Sequence, residues 1–201
     1  MMQQFWDDYY TNNEKPWLSP DPDLMAVAAT LPPGCALDLG AGEGADSLWL
    51  AQQGWAVTAV DFAPAAIATI QRLANEHHLH ISGIIANVVT YQPDTLYDLI
   101  FMCYLHLPAS ERNHLLNQVQ QSLAPHGRFL YIGIVRPDDT TETDIPLALL
   151  ATPSEIVAVL SGLTIERVDQ HERVIGCPEG DFTATVQIIQ AYRPNNALAS
   201  G

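Results

Sequence analysis

Nine residues constrain the fold of this chain more than any others: Ala36-Leu37-Asp38-Leu39-Gly40-Ala41-Gly42-Glu43-Gly44. A short apolar run carries an acid and passes into glycines at alternate positions. That pattern predicts a buried strand, a tight turn and a helix beyond it. Glycine has no Cβ, so the backbone can bend with φ > 0 and a ligand can approach closely. Open α/β sheets bind nucleotides at such a turn, outside the carboxyl ends of their strands.

The residues on either side repeat the theme. A short helix over 23–30 is closed by Pro32-Pro33-Gly34, and the first strand covers 35–39. A helix with Leu48, Leu50 and Ala51 follows the glycines and stops near Gly54. A second strand, 56–61, ends in Asp61, and Pro64 opens a helix over 65–77 with Ile67, Ile70 and Leu73 at helical spacing. Strands are expected at 81–86, 97–103 and 129–134, with a helix from Pro108 that Pro125-His126-Gly127 ends. Strand and helix in alternation predict a parallel sheet covered on both faces. The last third differs: a polar loop over 136–144, a capping box at Thr152-Pro153-Ser154-Glu155, and β-rich segments at 163–174 and 183–192. These two read as a C-terminal antiparallel hairpin. The expected fold is a Rossmann-like, doubly wound, seven-stranded, mostly parallel sheet with helices on both faces. It forms one domain over 1–193, with an irregular aromatic arm at 1–22 and a flexible tail at 194–201.

Charge narrows the ligand. The net charge is −15, from 23 acids against 8 Lys plus Arg. Nucleic-acid binding needs Lys and Arg in number, so neither DNA nor RNA is an expected partner. Cys35, Cys103 and Cys177 suggest neither a disulfide framework nor a zinc site, which suits a reducing cytoplasm. His77, His78 and His80 suit a solvated helix end better than a metal, and no metal is expected. The start of the chain lacks the pattern of a signal peptide, and no apolar run approaches the length of a membrane span. A monomer or homodimer with a small-molecule partner is expected.

Gly40-x-Gly42-x-x-Ala45 also fits the loose dinucleotide fingerprint, but a pyrophosphate would rest on the helix start beside these glycines. Asp38, Glu43 and Asp46, with no Lys or Arg beside them, make a poor cradle for two phosphates. They suit a ligand with an ammonium and a sulfonium. Asp38-Leu39-Gly40-Ala41-Gly42-Glu43-Gly44 resembles the first motif of class I S-adenosylmethionine-dependent methyltransferases, and Asp61 resembles their second. Tyr97-Asp98-Leu99-Ile100 and Leu123-Ala124-Pro125-His126-Gly127-Arg128 resemble the later motifs. Phe5-Trp6-Asp7-Asp8-Tyr9-Tyr10, Lys15-Pro16-Trp17 and Leu105-His106-Leu107-Pro108 are similar to segments of the small bacterial group of tellurite-resistance and thiol or thiopurine methyltransferases.

The resemblance implies S-adenosylmethionine as cofactor, S-adenosylhomocysteine as product, and in-line methyl transfer. Gly40, Ala41, Gly42 and Gly44 would admit the methionine part and ribose. Asp38 would order the turn or receive the ammonium, and Asp61 would accept both ribose hydroxyls. Phe62 would pack on adenine, Asn87 accept its amino group and Val88 offer a backbone N–H. Cys103 and Tyr104 would meet the methionine arm. His106 is the candidate for substrate contact or proton removal, and Trp6, Tyr10 and Trp17 for an aromatic lid. Ala45-Asp46-Ser47 and the loop 176–183, which lacks Arg and His, depart from the tellurite group, so a thiol or other soft nucleophile is favoured over an oxyanion. A nicotinamide-dependent oxidoreductase and a non-catalytic S-adenosylmethionine-binding protein are the alternatives.

Overall fold

The computed structural model describes residues 2–12, 16, 18–137, 145–175 and 181–195. Two compact units divide the chain, residues 1–93 and 94–201. The first contains α1 (Met2–Asn12), α2 (Pro22–Ala28), β1 (Cys35–Leu39), α3 (Ala45–Gln52), β2 (Ala56–Asp61), α4 (Pro64–Glu76) and β3 (Ile81–Ile85). The second contains β4 (Tyr97–Cys103), α5 (Ala109–Ser122), β5 (Leu123–Ile134), a 3-10 turn at Leu147–Leu149, α6 (Pro153–Val159), β6 (Thr164–Ile175) and β7 (Phe182–Tyr192). They contribute β3-β2-β1 and β4-β5-β7-β6 to a seven-stranded mixed sheet.

In the first unit β2 pairs in parallel with β1 and with β3. Parallel strands covered by helices bury both faces, so β1 and β2 read as apolar runs rather than as alternations. Ala36, Leu37 and Leu39 are buried on β1, as are Val57, Ala59 and Val60 on β2. Ile67 and Ile70 of α4 pack on Ala59, with Ala41 and Ile81 at the margin. Each isoleucine buried in this way contributes roughly 1.5–3 kcal/mol. Ala41 thus anchors the glycine turn in the core. Asp21 caps α2 by accepting from the Asp23 and Leu24 amides.

The N-terminal arm corrects one expectation. Residues 2–12 are helical rather than irregular. Trp6, Tyr9 and Tyr10 stand at i, i+3 and i+4, the spacing that places side chains on one helix face. Trp6 stacks on Tyr10 with centroids 5.7 Å apart, and Tyr9 meets both rings edge-on.

In the second unit β4 and β5 are parallel, while β7 runs antiparallel to both β5 and β6. The C-terminal pair is therefore antiparallel, as expected. β5 starts at Leu123 rather than at residue 129. Its register on β4 jumps from Tyr97↔Leu123 to Leu99↔Arg128, so Pro125-His126-Gly127 is looped out of the ladder as a bulge. His126 takes φ 64°, and a Cβ on Gly127 would stand 2.7 Å from the Tyr97 carbonyl oxygen. The turn signal was sound, but it interrupts a strand instead of preceding one. Arg112 of α5 is 1 % exposed and donates to the Leu107 carbonyl at 3.2 Å, bracing the segment that carries His106.

The capping box forms at α6: the Thr152 side chain accepts from the Glu155 amide, and the Glu155 carboxylate accepts from the Thr152 amide. Arg136 reinforces it with a 2.7 Å ion pair to Glu155. Thr152→Ala is expected to lower unfolding stability by about 1 kcal/mol, read from the urea midpoint. An unchanged midpoint would show that the Arg136–Glu155 pair holds the helix start by itself.

Candidate functional site

β1 and β2 end side by side, and the glycine turn lies over the end of β2. The Gly40 and Ala41 amides both donate to the Val60 carbonyl, at 2.9 and 3.1 Å. The Gly42 amide then donates to Asp61 Oδ2 at 3.0 Å, and the Ala63 amide to Asp61 Oδ1 at 2.9 Å. One carboxylate therefore ties the turn to the residues that open α4. Gly42 and Gly44 have φ 51° and 86°, a region that favours glycine. A Cβ on Gly44 would sit 2.5 Å from Ile70 Cγ1, so α4 packs against bare backbone there.

Asp61 is 6 % exposed. Burial pushes its carboxyl above the ordinary value, and the amides of Ala63, Gly42 and Phe62 oppose that rise. A carboxylate has about four acceptor directions, so these three amides leave capacity for a further hydrogen bond from a ligand hydroxyl. Phe62 is half-buried immediately beyond it.

Asp38 faces inward. It is 3 % exposed, and its Oδ2 accepts from Ser47 Oγ at 2.7 Å. Burial and the nearby Asp46 charge raise its pKa well above the ordinary value, against the Ser47 hydrogen bond. Of its two expected roles, the geometry supports ordering the turn, by tying β1 to α3. Asp46 Oδ1 accepts from the Asp21 amide at 2.7 Å. Glu43 is buried. Two of the three acids that disfavour a phosphate are thus also structural braces.

Tyr10 covers the turn: its hydroxyl lies 3.1 Å from the Cβ position of Gly42. Burial, together with the charges of Asp61 and Glu43, raises its pKa, so the phenol keeps its proton. Trp6 stacks behind it, whereas Trp17 lies outside the described residues. Asn87 Oδ1 accepts from the Val89 amide at 2.9 Å and its carbonyl from the Thr90 amide at 3.0 Å, shaping the turn after β3. Val88 is buried in that turn.

In the second unit, Cys103 ends β4 and Tyr104 follows it at φ 54°, its amide held by the Ile132 carbonyl at 2.8 Å. The left-handed backbone turns the chain sharply at the carboxyl end of a parallel strand. Arg173 Nη1 donates to the Tyr104 hydroxyl at 2.9 Å, and Arg173 Nη2 lies 3.1 Å from His171 Nε2. The sequence reading missed Arg173 and His171. Strand alternation carries the signal, since His171 and Arg173 share the half-buried face of β6. Burial lowers the His106 pKa to about 4. His106 is therefore neutral near pH 7, not poised there as a pH-sensitive base.

The buried acids and the histidine act oppositely on stability. Asp38, with its pKa raised in the fold, contributes stability that is present below 3.8 and lost as pH rises through its folded value. Asp38→Asn keeps an acceptor for Ser47 and removes the charge. Its stability relative to wild type should improve from pH 3.8 towards neutrality in urea titrations. A pH-independent difference would contradict the burial argument. His106 contributes stability present above 6.5 and lost as pH falls through about 4. Imidazole NMR should show its midpoint near 4, and one near 6.5 would contradict this.

Residues 36–127, which include the glycine turn, match the family described as a methyltransferase domain. Over 121 residues the chain is 30 % identical to hemagglutinin 1 of Eikenella corrodens, covering 59 % of this chain and 39 % of that protein. The chain thus spans about two fifths of the length of that curated relative. Solved structures share the fold at low identity. One comes from work on the conversion of a disulfide bond into a thioacetal group during echinomycin biosynthesis, with TM-score 0.79 and 20 % identity over 98 % of this chain and 94 % of that one. TehB from Haemophilus influenzae gives 0.77 and 17 %, over 95 % and 66 % of the two chains. The N-methyltransferase NodS from Bradyrhizobium japonicum, in complex with S-adenosylhomocysteine, gives 0.73 and 20 % over 96 % and 98 %. Residues 36–127 thus match a methyltransferase domain, and the chain shares its fold with methyltransferases of known structure.

Proposed function

We propose that this chain transfers the methyl group of S-adenosylmethionine to a small-molecule acceptor, with a thiol or another soft nucleophile preferred. The observation that carries this reading is the Asp61 carboxylate, held by the Gly42 and Ala63 amides at the mouth of a turn without cationic side chains. No Lys or Arg occurs between Lys15 and Arg72, so nothing in that stretch would neutralise a pyrophosphate.

The residues fit S-adenosylmethionine. Gly40, Ala41, Gly42 and Gly44 offer a backbone surface without bulky side chains for the methionine part. Asp61 accepts the ribose hydroxyls, and Phe62 packs on the adenine. Asn87 Oδ1, already engaged by Val89, keeps a second lone pair for the adenine amino group, and Val88 contributes a backbone N–H. When bound, the cofactor supplies an activated methyl group on a sulfonium. The protein then has to align donor and acceptor in line and keep water out.

Cys103, Tyr104 and His106 follow the carboxyl end of β4, where doubly wound sheets bind ligands. We assign the acceptor to that segment. A neutral His106 can take a proton only transiently, which suits an acceptor that ionises readily. Arg173 holds the Tyr104 hydroxyl, giving the segment one oriented polar group. The structural likeness to a protein from work on the conversion of a disulfide bond into a thioacetal group is in keeping with a sulfur acceptor.

Asp61→Ala should weaken S-adenosylhomocysteine binding at least tenfold by calorimetry, the scale of losing charge-assisted hydrogen bonds at about 1.5–3 kcal/mol each. Unchanged affinity would refute the ribose role. Incubation with methyl-labelled S-adenosylmethionine and a panel of thiols, phenols and amines should label thiols first. Tight cofactor binding with no transfer to any of them would favour the non-catalytic alternative.

A further inference from the structure

α4 begins with a deficit. Its N-cap residue is Ala63, which has no side-chain oxygen to accept from the first turn. Pro64 removes one amide, but those that follow still need partners. Asp7 of α1 supplies one: Asp7 Oδ1 accepts from the Ala65 amide at 3.0 Å across 58 residues of sequence. A capping acceptor normally comes from the N-cap residue itself. Here the acceptor belongs to another helix, so capping α4 and docking α1 are one event.

The same helix carries Tyr10 onto the glycine turn. Asp7 and Tyr10 are three residues apart and so lie on one side of α1. One reaches the start of α4 while the other sets its hydroxyl beside Gly42. Gly42 and the opening of α4 are also the two groups that Asp61 holds together. Asp7 and Asp61 thus grip the same short stretch, Asp61 through the Ala63 amide and Asp7 through the Ala65 amide. A ligand on Asp61 and a helix on Asp7 both draw on the first turn of α4.

We propose that Asp7 is a positioning residue for cofactor binding: by capping α4 it docks α1 and sets Tyr10 over the glycine turn, so that cofactor occupancy and docking of α1 strengthen each other. The coupling rests on the S-adenosylmethionine reading of the turn. It is reciprocal: whatever docked α1 adds to cofactor affinity, bound cofactor returns as protection of α1. It also gives the Trp6–Tyr10 stack a role, as a rigid aromatic cover that moves with the helix.

The test compares wild type, Asp7→Ala and Asp7→Asn, using S-adenosylhomocysteine as the probe. Calorimetry reads affinity, and amide hydrogen exchange reads residues 2–12 and 64–68. Asp7→Asn keeps an oxygen that can accept from Ala65 and should stay within about twofold of wild type. Asp7→Ala should bind about five- to tenfold more weakly, the scale of a lost helix cap. In wild type the probe should slow exchange in residues 2–12, and in Asp7→Ala that slowing should vanish. A thermal midpoint close to wild type would show that Asp7→Ala still folds. If Asp7→Ala binds as wild type does, or the probe leaves exchange in 2–12 unchanged in wild type, the coupling is wrong while the cofactor reading stands. If wild type does not bind the probe at all, both fall.

Discussion

One carboxylate organises the glycine turn of this molecule. Asp61 stands where β2 stops, and its two oxygens accept from Gly42 and Ala63. The first hydrogen bond fixes the glycine turn and the second fixes the entry to α4. Backbone amides that converge on a buried acid cannot be exchanged for water without leaving a charge unsolvated, so the arrangement is stiff. The left-handed glycines, the close approach of α4 at Gly44 and the position of Tyr10 all surround that centre. The same acid is the one to which the proposed function assigns the ribose, so one group would serve both shape and binding.

The charges around it make the choice of ligand. A phosphate-binding turn gathers amides and cations at a helix start. Here the helix start after the glycines carries Asp46, with Asp38 and Glu43 buried nearby. Asp38 and Asp46 brace the turn through Ser47 and the Asp21 amide, and keeping Asp38 buried raises its pKa. Such a turn favours a cationic ligand rich in hydroxyls over a diphosphate.

Much of this was legible in the sequence because the relevant signals are local. β1 and β2 are short apolar runs bounded by Gly34, the glycine turn and Gly54, and both appear where the pattern placed them. The capping box at Thr152 and the antiparallel C-terminal pair also follow from nearest-neighbour chemistry. What the sequence hid is long-range. Asp7 caps a helix 58 residues away, and Arg173 meets Tyr104 across 69 residues, contacts that no local period encodes. The bulge at Pro125-His126-Gly127 read as a helix end because turn chemistry looks the same whether or not a strand has already begun. The helix at Met2–Asn12 was overlooked because its aromatic residues suggested an irregular arm, although 6, 9 and 10 have helical spacing. Asp38 read equally well as a ligand group and as a brace, and only its hydrogen bond to Ser47 favours the brace.

An acid-ringed glycine turn should select S-adenosylmethionine over a dinucleotide. Paired calorimetric titrations of the wild-type protein with S-adenosylhomocysteine and with NAD test it most directly. S-adenosylhomocysteine should bind saturably, one to one, with a micromolar or tighter constant, and NAD should give no heat of binding over the same range. Micromolar binding of NAD with none of S-adenosylhomocysteine would contradict it.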